Sequence, residues 1–175
     1  MILRRVEPST RRRSDAQEIP MNTRADNPGV CVPPPLLYAT AVVGGWLANR
    51  RWPLPVGGGT SLLVAAGFLV AAWAVLTASS IGLFRRKQTS MIPIRPATTL
   101  VITGPYKMTR NPMYVGLALL TVAFALFLNT WWPMLLLVPT LLAAQRFVIV
   151  PEENYLRRRF GVEYDGYARR VRRWL

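Results

Sequence analysis

Long apolar blocks with few or no charges alternate along this chain with arginine-rich segments, and that alternation constrains the fold more than any single residue does. The blocks lie at 35–52, 60–84, 113–128 and 134–150. A soluble fold would have to cover each block on every side. A bilayer accepts such runs directly, provided they coil into helices that satisfy their own backbone polar groups. The expected architecture is therefore all-α: a polytopic membrane helix bundle of about four transmembrane helices, followed by a cytoplasmic, amphipathic helical tail.

The charges sharpen this expectation. The chain carries 22 Lys and Arg against 8 Asp and Glu, a net charge of +14. Arg4, Arg5, Arg11, Arg12, Arg13 and Arg24 precede the first block. Arg85, Arg86, Lys87, Arg95, Lys107 and Arg110 separate the second from the third, and Arg157, Arg158, Arg159, Arg169, Arg170, Arg172 and Arg173 follow the fourth. Only Arg50 and Arg51 lie at the other turn between the first two blocks, and the last two are joined without any charge. This pattern obeys the positive-inside rule for a protein of the plasma (inner) membrane with both termini cytoplasmic. The basic residues thus mark topology, and no nucleic acid is expected as a partner.

Histidine is absent, which removes histidine metal ligands, histidine-activated nucleophiles and a histidine general base. No metal site is expected. The single cysteine, Cys31, forms no intrachain disulfide and is expected to stay reduced. Residues 1–32 mix Arg with Glu7, Asp15, Glu18 and Asp26 and have no apolar run, so they are expected to form a disordered basic tail rather than a signal peptide. Residues 33–175 are then one membrane domain.

Within that domain, Gly44-Gly45 suggests close helix packing in the first block, and Pro53, Pro55 and Gly57-Gly58-Gly59 make a loop. The segment 88–103 bears Pro93 and Pro96 and reads as a long loop. Residues 129–133 are short enough to force the last two blocks into an antiparallel hairpin, with Trp131 and Trp132 at the opposite interface. Pro139 is expected to kink the fourth helix. Beyond Pro151, Leu156, Phe160, Tyr164, Tyr167 and Val171 recur at helical spacing with arginine on the other face, and Gly161 should split residues 151–174 into two short helices.

Chemistry is expected at the cassette from Gly104 to Gly116. Gly104-Pro105 reads as a turn, and Asn111-Pro112 as the cap and first residue of the third helix. Those roles do not account for Tyr106, Arg110 and Tyr114 at the same helix mouth, where an arginine and free backbone N–H groups suit a carboxylate or phosphate. Glu152 and Glu153 are the only acids between Asp26 and Glu163. They are expected in the first turn of a helix, favouring its dipole, and they also offer acceptors for an ammonium group or ribose hydroxyls. Arg146, near the end of the fourth block, must either snorkel to the interface or meet an anion.

Gly104-Pro105-Tyr106, then Arg110-Asn111-Pro112-Met113-Tyr114-Val115-Gly116, a helical hairpin, Glu152-Glu153-x-x-Leu156, Phe160-Gly161-x-x-Tyr164-x-x-Tyr167 and Val171-Arg172-Arg173-Trp174 follow in one order. This series resembles the isoprenylcysteine carboxyl methyltransferase family and its phospholipid methyltransferase relatives. The resemblance implies an integral membrane enzyme that binds S-adenosylmethionine on the cytoplasmic side of its helices. It places Gly104, Tyr106, Arg110, Asn111, Pro112, Tyr114, Glu152 and Glu153 around the cofactor. Many members carry histidine where Asn111 stands, and asparagine cannot titrate near neutrality.

Methyl transfer from a sulfonium then rests on alignment and water exclusion. Glu152 and Arg146 are the expected catalytic residues, with Arg146 positioning an anionic acceptor that enters from the lipid. The expected partners are membrane lipids and a lipophilic or prenylated acceptor; a carboxylate, a phospholipid amine, a small thiol and an isoprenoid acid all remain open as the methylated group. Two other classes share the layout: a sterol-reductase-like membrane enzyme, which would use a nicotinamide dinucleotide (NADPH), and a noncatalytic four-span protein, which would bind no cofactor.

Overall fold

The computed structural model describes residues 33–87 and 99–175. The expectations for the basic tail 1–32, for Cys31 and for residues 88–98 of the long loop lie outside the described residues. Those described are helical, with no strand among them: α1 (Pro34–Arg51), α2 (Thr60–Arg86), a 3-10 turn (Gly104–Lys107), α3 (Pro112–Phe127), α4 (Trp132–Ala144), a π turn (Gln145–Ile149), α5 (Val150–Phe160) and α6 (Val162–Arg170).

Two helices are long and apolar enough to cross a membrane: α2, with 27 residues, and the continuous run Trp132–Phe160, with 29. At about 1.5 Å per residue either exceeds the ~30 Å hydrocarbon core. Only 6% of the apolar window of α2 and 22% of that in Trp132–Phe160 is buried inside the protein. A soluble core helix of that composition would be mostly covered; here Phe68, Val75, Val138, Leu142 and Phe147 face outward. α3 is apolar but shorter, and α1 spans 18 residues.

α1 packs on α4, and α2 on α3. The close approach expected of Gly44-Gly45 is present: a Cβ on Gly45 would lie 2.6 Å from the backbone nitrogen of Pro133. At that same end of the molecule the carboxamide oxygen of Asn129 accepts from the N–H groups of Val56 and Gly57, while Trp132 donates its indole N–H to the Trp52 carbonyl at 2.7 Å. The α3–α4 turn closes when Asn129, at φ +49°, lets the amides of Asn129 and Thr130 return to the carbonyls of Leu126 and Ala125.

The fourth apolar block departs from its expected form. No free helix begins at Pro151. α4 runs through the π turn into α5, because Pro151 lacks an N–H and its ring would strike the carbonyl of the residue four before it; a wider turn immediately upstream relieves the conflict without ending the helix. Pro139 sits inside α4 and does not end it either. Gly161, at φ +50°, does separate α5 from α6, as its position suggests.

Candidate functional site

The cassette, α5 and the last residues of the chain meet at the end of the molecule opposite the Asn129 turn. Gly104 adopts φ +62° and lies against α2, where a Cβ would come within 2.8 Å of Leu83 Cδ1. Both features demand glycine, and the turn they permit directs Tyr106 inward. Tyr106 is buried, its ring meeting Phe84 edge-on at 5.8 Å, and its carbonyl accepts a 2.7 Å hydrogen bond from the Tyr167 hydroxyl. Pro112 opens α3 as the sequence suggests, but Asn111 does not cap the helix with its side chain. Its Nδ2 donates instead to the Arg173 carbonyl at 3.0 Å, beside the Thr109 hydroxyl donating to the same oxygen at 3.0 Å and the Arg110 amide donating to the Arg172 carbonyl at 2.9 Å.

Two polar groupings result. In the first, Tyr114 donates its hydroxyl to Glu152 Oε2 at 2.8 Å. Glu152 lies two residues past the apolar block and is half-buried. Burial pushes its carboxyl up to about 7; the Tyr114 hydrogen bond opposes this shift and the neighbouring Glu153 charge adds to it. Burial also raises the Tyr106 phenol, with Ser80 opposing the shift and the charge on Glu152 adding to it.

In the second grouping, Glu153 is clamped. Arg173 approaches it in a two-pronged pair, Nε to Oε1 at 3.0 Å and Nη2 to Oε2 at 2.7 Å, and Arg110 Nη1 reaches Oε1 at 3.1 Å. The Glu153 side chain is only 8% exposed and that of Arg110 14%, so the contacts are sheltered from water. Such a pair is held by geometry and by the full use of its donors. Arg110 Nη1 also lies 3.5 Å from the Tyr164 hydroxyl. Its Nε is buried and finds no hydrogen-bond partner among the described residues.

Gly104, Tyr106, Arg110, Asn111, Pro112, Tyr114, Glu152 and Glu153 are thus brought to one end of the bundle. Glu152 and Glu153 do not occupy a free first turn: the helix runs on above them, so the dipole role expected there has no exposed N–H groups to act through. Arg146 stands apart. It is exposed on the outer face of the π turn, its guanidinium 6.0 Å from the Phe147 ring.

Arg173, Tyr164, Tyr167 and Trp174 carry more of the site than the sequence indicated. The tyrosines counted as the apolar stripe of an amphipathic helix, yet their hydroxyls are in use. Trp174 donates its indole N–H to Gln145 Oε1 at 3.0 Å and packs against Tyr114, Val148 and Ile149. Gln145 had one available signal, being the only amide side chain in its apolar block.

The sequence model of one family, described as phospholipid methyltransferase, matches residues 60–163. The match ends before Tyr164, Tyr167 and Arg173. An uncharacterized protein of Haemophilus influenzae (strain ATCC 51907 / DSM 11121 / KW20 / Rd) is 40% identical over 63 residues, which are 36% of this chain and the whole of that protein. No solved structure matches.

Proposed function

Because this chain belongs to the phospholipid methyltransferase family, we propose that it transfers the methyl group of S-adenosylmethionine to a lipophilic acceptor held in the membrane. The observation that carries this reading is the half-buried Glu152 carboxylate, fixed by Tyr114 beside the buried Arg110–Glu153–Arg173 cluster.

The residues present fit the cofactor. Tyr114 occupies Oε2 of Glu152, leaving Oε1 to accept from an ammonium group or a ribose hydroxyl. The unpartnered Nε of Arg110 offers a buried donor to a carboxylate. Glu153, with both oxygens held by arginines, acts by keeping Arg110 in place. Tyr106 and Tyr114 supply the adjoining wall, and Asn111 ties it to the chain beyond α6. When bound, S-adenosylmethionine supplies an electrophilic methyl on a good leaving group. The protein's own contribution is then orientation and exclusion of water, with no titrating base at Asn111.

This reading puts the site on the cytoplasmic side of the plasma (inner) membrane. Both termini lie on that side, α1 and α3 complete a set of four spans beside the two longer helices, α5 carries the fourth span out of the hydrocarbon layer, and α6 lies along the headgroups. Arg146 is exposed on the outer face, and in this reading it meets an anionic acceptor arriving from the lipid. A carboxylate acceptor, as in isoprenylcysteine carboxyl methylation, suits that arrangement.

The test is S-adenosylmethionine binding to the purified protein in lipid nanodiscs. Glu152→Ala should abolish binding while the protein stays folded; unchanged affinity removes Glu152 from the site. The pH profile adds a sign. A carboxyl raised to about 7 is protonated below that pH and loses the charge that attracts a cation, so affinity should climb through about pH 7 and level off above it. Glu152→Gln should bind weakly at every pH and lose the slope. Methyl-labelled S-adenosylmethionine given to membranes, followed by alkali treatment, separates an ester product from N- or S-methylation.

A further inference from the structure

Three buried polar atoms find no hydrogen-bond partner among the described residues: Arg110 Nε, Ser80 Oγ and the Tyr38 hydroxyl. The first faces the cofactor's carboxylate in the reading above. The second lies against the Tyr106 phenol, whose ionisation it favours, and so belongs to a wall already described. Tyr38 has no such account. It is 3% exposed and packs with Leu137 and Ala144 of α4, ringed by Leu37, Leu117 and Leu141.

Phenylalanine would fill this position equally well. Its ring would make the same dispersion contacts, and no hydroxyl would be taken out of water without compensation. A buried tyrosine ordinarily finds a partner for its O–H, and one that does not lowers the stability of the chain carrying it. The described residues supply no partner for Tyr38; a ligand would.

Position decides which ligand. Tyr38 lies in the second turn of α1, at the end of the helix nearest the site, about 6 Å along the axis from Pro34. Leu37 and Leu117 pack both against its cluster and against the cluster of Tyr114, Val148 and Ile149, so a shared pair of leucines bridges Tyr38 to the residue that holds Glu152. The two sides of Tyr114 differ in chemistry. Toward the cassette and the chain beyond α6 stand Arg110, Glu153 and Arg173, which suit the charges of the cofactor. Toward α1 and α4, the residues 34–42 and 138–144 nearest the site carry no charge at all. A ligand reaching Tyr38 is therefore mostly hydrocarbon, with a polar atom placed to meet one hydroxyl.

We propose that Tyr38 binds the methyl acceptor, donating its O–H to a carboxyl or carbonyl oxygen of a lipophilic molecule held beside Glu152. This rests on the methyltransferase reading above and adds the residue that recognises the acceptor's polar end. Tyr38 precedes residue 60, where the family match begins, so the contact belongs to this chain's own first helix. A site built around a buried hydroxyl rejects acceptors that lack the oxygen, because the hydroxyl is then left unpaired.

The experiment compares the full chain with Tyr38→Phe, both purified into nanodiscs of total membrane lipid extract. The variant should unfold at the parent's temperature or above it, since it loses an unpartnered hydroxyl. A fall of about 3 °C or more, the size expected for one lost hydrogen bond in a chain of this length, shows that the hydroxyl serves the fold and overturns the proposal. S-adenosylmethionine affinity, and its climb through about pH 7, should match the parent within twofold. Incorporation of labelled methyl into lipid should fall at least tenfold. A smaller fall, or an equal loss of cofactor affinity, removes Tyr38 from the acceptor. A parent that transfers no methyl to lipid defeats the methyltransferase reading and this assignment with it, whereas an active parent with an equally active variant defeats the assignment alone.

Discussion

Glu152 and Glu153 are adjacent in sequence and opposite in use. A helix separates consecutive side chains by about 100°, so one faces Tyr114 and the other the two arginines. The consequences of removing them should differ accordingly. Glu153→Ala leaves Arg110 sheltered and without its counter-charge, a change of the kind that costs about 3–5 kcal/mol. It should lower the thermal unfolding temperature in detergent and weaken cofactor binding together. Glu152→Ala should remove binding with little loss of stability, since burial already disfavours its ionised form. If Glu153→Ala unfolds no earlier than the parent, the clamp is not structural. Asn111 gives the same lesson more quietly. Its place before Pro112 is that of a helix cap, but the nearby Arg173 carbonyl competes for its amide and wins.

At the level of elements, helix packing and helix continuity were legible to different degrees. Gly44-Gly45 announced a close contact, and Pro133 supplies it. Gly45→Ala should cost about 1–3 kcal/mol through forced separation of α1 from α4. Gly67→Ala, on the open face of α2 where nothing lies within 4 Å, should cost nothing. Equal unfolding temperatures for the two variants would mean that the α1–α4 approach can relax freely. The helix expected from Pro151 is present as α5, with Glu152 and Glu153 in its first turn, but as the continuation of the helix before it rather than a fresh start. Proline is as compatible with the first turn as with a position just after a π turn, and only the surrounding packing selects between them.

Among the described residues, most of the basic side chains collect at the end that holds the site, and Arg50 and Arg51 lie at the other. Four spans with this orientation predict a definite labelling pattern. In a Cys31→Ser background, single cysteines at Lys107 and Arg172 should react with a membrane-impermeant maleimide only after the membrane is opened. Cysteines at Gly58 and Asn129 should react in intact cells or spheroplasts. Labelling of Gly58 and Lys107 from the same side would mean that α2 does not cross.

The sequence by itself determined the helical class, the extents of α1, α2 and α3 to within a residue or two, the break at Gly161 and the cassette that binds the ends together. These follow from runs of apolar residues, glycine conformations and charge placement, all of which act locally along the chain. Only the tertiary structure decided that Glu153 is spent on Arg110 and Arg173, that Arg146 faces outward, and that Trp174 packs on the cluster of Tyr114, Val148 and Ile149. Those outcomes depend on the chain beyond α6 returning across more than sixty residues to the cassette, as in the bond from Asn111 to Arg173 spanning 62 positions. A competition between distant partners for the same donors and acceptors leaves no periodic trace in the sequence, and it is settled only when the elements pack.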